Sequence, residues 1–136
     1  MAIRVKSQWH TTGEAKSPQQ VATVVASLIF RVAEEKVTHM QQADFEISSK
    51  EQGFAMISEY LAFLLQYTDR FIYGRVEEAY RAALIGAIAK RLAEILEDNQ
   101  LTYIGPVEGA SYQSRFITLL NERLALHYGI EGVRGD

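Results

Sequence analysis

Small residues recur at helical spacing between Ala79 and Ala93, and no other feature constrains the fold of this chain as strongly. Ala79, Ala82, Gly86, Ala89 and Ala93 step by 3, 4, 3 and 4 residues, so on a helix they line one side. A side without bulk lets a second helix come close, which is a packing device rather than a reactive one. The same segment carries a second, apolar row in Leu84, Ile88, Leu92 and Ile95. A helix with both rows is expected to be covered on more than one side, at the centre of a helical assembly.

The other apolar periodicities are helical too. Ser17-Pro18 supplies an N-cap and a first-turn proline. Val21, Val25, Leu28 and Val32 then predict the buried stripe of a first helix, widened by Ile29, Ala33, Val37 and Met40 and fading near Met40. Residues 44–47 alternate as an extended connector. Ser48 and Glu51 stand at capping-box spacing. Phe54, Ile57, Leu61, Leu64, Thr68 and Phe71 follow as the core stripe of a second helix. Gly74 predicts a break, because an unbroken helix from residue 49 to residue 98 would be unusual in so small a domain. Glu77 and Glu78 stand where a helix dipole favours negative charge, at the start of the third helix. Residues 99–110 read as the one substantial loop, with Gly105-Pro106 as its turn and room for an extended run over 102–107. Ser111 can cap a fourth helix whose stripe is Ile117, Leu120, Leu124 and Tyr128, ending at Gly129 and Ile130.

The fold expected is therefore all-α, a compact bundle of four main helices with a short N-terminal arm and one longer loop near residues 99–110. The arm is residues 1–16, where Ile3 and Val5 alternate with Arg4 and Lys6 and Trp9 can pin the segment to the body. Residues 17–130 form the single bundle domain, and 131–136 a C-terminal tail. At 136 residues, 48% hydrophobic and 23% charged, the chain has ordinary globular composition. A net charge of −3 argues against a nucleic-acid binder that works by neutralising phosphates. No apolar run approaches the roughly 18 residues that span a bilayer. No secretory signal is visible at the N-terminus and cysteine is absent, so the cytoplasm is the expected compartment.

Chemistry is sparsely marked. Glu35 and His39 stand at i, i+4 and share a helix face, as paired metal ligands must. A bundle site would also need inward carboxylates, for which Glu59 and Asp69 of the second helix are the candidates. Glu59 shares its side with Ala62, Gln66, Asp69 and Tyr73, a side that is either solvated or an inward acidic seam. His10, His39 and His127 are scattered, and no nucleophile elbow or glycine-rich phosphate loop occurs. A helix-turn-helix with its turn near Gly74 is disfavoured, since no basic recognition helix follows.

Two functional expectations result. The first is a non-enzymatic interaction module that self-associates, most simply as a two-fold dimer, with room for another protein partner and with no cofactor and no nucleic-acid or membrane partner. Its interface is expected at Ala82, Gly86 and Ala89 of the small-residue row, with Tyr73 and Tyr80, because tyrosine beside arginine is an interface composition. The alternative is a small-molecule or metal-binding bundle, conceivably an enzyme, in which Glu35, His39, Glu59 and Asp69 turn inward together.

Overall fold

The computed structural model describes residues 16–42 and 49–128, with side chains at 16–40 and 49–124. They form four helices: α1 (Pro18–Gln42), α2 (Lys50–Ile72), α3 (Glu78–Tyr103) and α4 (Tyr112–Tyr128). No strand occurs among the described residues, and the architecture is the expected all-α bundle. Expectations that fall on residues 1–15, 43–48 and 129–136 (the arm, the connector and the tail) lie outside the described residues.

Contacts between helices fix their directions. The Tyr60 hydroxyl of α2 meets the sulfur of Met40 near the end of α1, and Tyr80 at the start of α3 donates to the carbonyl of Lys16, just before α1. Gln113 of α4 donates to Glu97 of α3 at 2.9 Å. The helices thus run up, down, up and down.

The most extensive contact is α1 on α3, and α3 also packs against α2 and α4. Leu61 and Leu65 of α2 and Ile88, Leu92 and Leu96 of α3 are the largest fully enclosed side chains of the core, and no polar or charged side chain is buried among the described residues. The central position read from the two rows of α3 is therefore real. What α1 presents to the core matches the expected stripe in part. Ile29, Ala33 and Val37, expected to widen it, are buried together with Ala22, Ala26 and Phe30, whereas Leu28 and Val32 from its expected centre are exposed. The stripe is rotated by about one position because close helix approach selects small residues, while an apolarity pattern ranks valine and leucine above alanine.

Helix ends follow local chemistry. Ser49, rather than Ser48, is the N-cap of α2, and its hydroxyl accepts from the backbone N–H of Gln52. α2 stops where expected: Gly74 takes a left-handed φ of 79°, which only glycine adopts without strain. Ser111 caps α4 as expected, accepting from the N–H of Ser114. The loop expected at 99–110 is shorter, because α3 continues through Tyr103. Asn99 and Thr102 bond back to the carbonyls of Ile95 and Asp98 inside the helix instead of breaking it. The helix ends when Ile104 and Gly105 both donate to the carbonyl of Gln100, with Gly105 at φ 108°.

Candidate interaction surface

The acidic side of α2 is a seam between helices. Asp69 and Glu78 both bind the Arg81 guanidinium, Asp69 at Nη1 and Glu78 through Nε (3.1 Å) and Nη2 (2.5 Å). The same guanidinium lies over the Tyr73 ring, 4.9 Å from its centroid, so one arginine clasps both sides of the turn at 73–77. Its hydrogen bonds hold the exposed Glu78 carboxyl below the ordinary value of 4.5. Farther along, Glu59 takes a two-pronged contact from Arg123 of α4, at 2.9 and 2.5 Å, and the Arg123 guanidinium is held above its ordinary value by that pair. Glu59 and Asp69, the two α2 carboxylates that the sequence offers to a cation, are thus each bound by a neighbouring helix's arginine.

Glu35 and His39 lie on the exposed side of α1. Among the described residues no three of His, Cys, Asp or Glu come together in a way that could hold a metal ion. Glu35, His39, Glu59 and Asp69 are therefore not gathered into one site. His10 and the side chain of His127 lie outside the described residues.

The small-residue row of α3 is covered at one end only. Ala93 is buried and Ala89 packs partly against the core, while Ala79, Ala82 and Gly86 are exposed. A Cβ placed on Gly86 would meet nothing within 4 Å. Gly86→Ala should therefore stabilise the fold by about 1 kcal/mol, the helix-interior difference between these residues, read as a raised midpoint in thermal unfolding. A lower midpoint would mean that the position is already in close contact. Of the two tyrosines expected at an interface, Tyr73 is exposed beneath Arg81, and Tyr80 is half-buried with its hydroxyl on the Lys16 carbonyl.

A second open surface lies on α2. Phe63, Tyr67 and Phe71, at i, i+4 and i+8, are 60%, 63% and 56% exposed. They stand opposite Leu61 and Leu65, which turn to the core. Arg75 lies over the Phe71 ring at 4.6 Å from its centroid. Sequence reasoning placed Phe71 in the core stripe and assigned Phe63 no role. The four-residue spacing of three aromatics away from the leucine row was the available signal.

No family model, curated protein or solved structure matches this chain. No helix among the described residues is long and apolar enough to cross a membrane.

Proposed function

We propose that this chain is a non-enzymatic helical module whose role is to associate with a second copy of itself. The observation that carries the reading is the row of Phe63, Tyr67 and Phe71, each more than half exposed on a helix whose other side buries Leu61, Ala62 and Leu65. Scattered exposed hydrophobics are ordinary on a folded surface, but three aromatic rings in line on one helix form a contiguous patch of the kind that marks an interaction site. The small, open positions Ala82 and Gly86 on α3 form a second surface against which another helix could lie close. Asp69 and Glu59 are taken up by arginines, so these two carboxylates support an assembled scaffold rather than a reactive centre.

Self-association makes a direct prediction. Static light scattering over a micromolar range should show a mass rising with concentration from 15.3 kDa toward twice that value. A constant monomer mass over the whole range would end the proposal.

A further inference from the structure

We propose that the 73–77 turn is a hinge and that the second copy is taken up by exchange. In the exchanged pair α2 and α3 join into one helix, and the α1–α2 half of each chain packs on the α3–α4 half of the other. This deepens the self-association reading and rests on it.

Few interactions belong to the closed turn alone. Gly74, at a left-handed φ of 79°, reverses the chain, and the N–H of Arg75 donates to the Ile72 carbonyl at 2.9 Å. The bonds from Tyr73 to Asp69 and from Arg81 to Glu77 have i, i+4 spacing, so an unbroken helix keeps them. Tyr73, Arg75, Val76 and Glu77 are all exposed, and straightening the turn takes none of them from the core. Glu77, the N-cap of α3, makes no side-chain capping bond. On a continuous helix the N–H groups of Glu78, Ala79 and Tyr80 would reach the carbonyls of residues 74–76, partners that no capping side chain supplies.

Exchange keeps what the closed bundle buries. Leu61 and Leu65 of α2 and Ile88 and Leu92 of α3 would meet the same neighbours, supplied by the other chain. Asp69 and Arg81, paired across the turn, would stand roughly 18 Å apart on one helix, so their bond re-forms between chains. The pair thus draws its stability from a re-formed core rather than from the area of a surface patch.

Opening also joins two rows that the closed bundle leaves on separate helices. On one helix Tyr67 and Phe71 continue through Arg75 and Glu78 to Ala82 and Gly86, at steps of 4, 4, 3, 4 and 4, along a single side. About a two-fold axis between residues 76 and 77, Phe71 of one chain stands level with Ala82 of the other, and Tyr67 with Gly86. Bulky positions are set against small ones, as close helix crossing requires.

Two turn positions off the aromatic row test the hinge. Alanine is disfavoured about 10-fold in the left-handed conformation and favoured about 5-fold over glycine inside a helix. A Cβ on Gly74 would meet nothing within 4 Å, so Gly74→Ala acts through the backbone alone. It should favour opening roughly 50-fold per chain and tighten the dimer about 10³-fold, read by light scattering. Glu77→Pro should act in the opposite sense. The φ of −60° at Glu77 suits proline, whereas proline inside a helix is disfavoured about 150-fold, so this variant should stay monomeric over the micromolar range. The Gly74→Ala dimer should persist on dilution, because separation requires the core to open. A surface pair of micromolar affinity separates within about a second. If wild type dimerises and both variants keep its dissociation constant, exchange at the turn is wrong, although self-association stands. If Gly74→Ala loses its helical circular-dichroism signal, Glu77→Pro decides alone, and a dimer as tight as wild type overturns the exchange. A wild type that stays monomeric removes both.

Discussion

Leu92→Ala should lower the free energy of unfolding by about 3 kcal/mol, measured by denaturant titration at constant slope. Leu92 is fully enclosed at the middle of α3, the helix that packs against all three others. Truncation removes three buried carbons and leaves a void that neighbours on several sides must partly collapse to fill. Leucine-to-alanine changes at such sites cost ~2–5 kcal/mol, the spread reflecting how far the site can relax. The helix propensities of leucine and alanine differ little, so the loss reads packing rather than helix formation. A loss below about 1 kcal/mol would show that α3 is not enclosed as described.

The second large effect runs in the opposite direction of size. Ala33→Leu should destabilise by about 2 kcal/mol, since Ala33 is fully buried on the core-facing side of α1 and an added isopropyl group must push helices apart or force strained rotamers. Leu28→Ala, one residue row away on the exposed side, should cost under about 1 kcal/mol because little apolar area returns to water. The two substitutions discriminate between a stripe centred on Leu28 and Val32, with Ala33 at its edge, and the observed one, which runs through Ala33. Had Leu28 and Val32 faced the core, the order of the two effects would be inverted.

That pair also shows what could be read from the sequence and what could not. The number of helices, the break at Gly74 and the Ser111 cap follow from local rules that the tertiary fold respects: a left-handed glycine stops a helix, and a serine hydroxyl takes a free N–H. The burial of Leu84, Ile88 and Leu92 was equally legible. The rotation of α1 was not, because alanine carries a weak apolar signal while fitting best where backbones approach. The extent of α3 was misjudged at Asn99 and Thr102, whose side chains bond backwards along the helix. For the candidate site, the acidic side of α2 was identified as a distinct surface. Its arginine partners were hidden because Arg81 and Arg123 lie 12 and 64 residues from Asp69 and Glu59. Phe71 looked like core because three-four periodicity cannot tell the edge of a buried stripe from the start of an open one.

The position of α3 also limits how this chain can be divided. Every other helix rests on it, so a cut at the 73–77 turn or at 104–111 leaves a fragment with part of α3's greasy circumference bare. Either fragment would turn to water apolar side chains that the contacts of α3 with its three neighbours now cover.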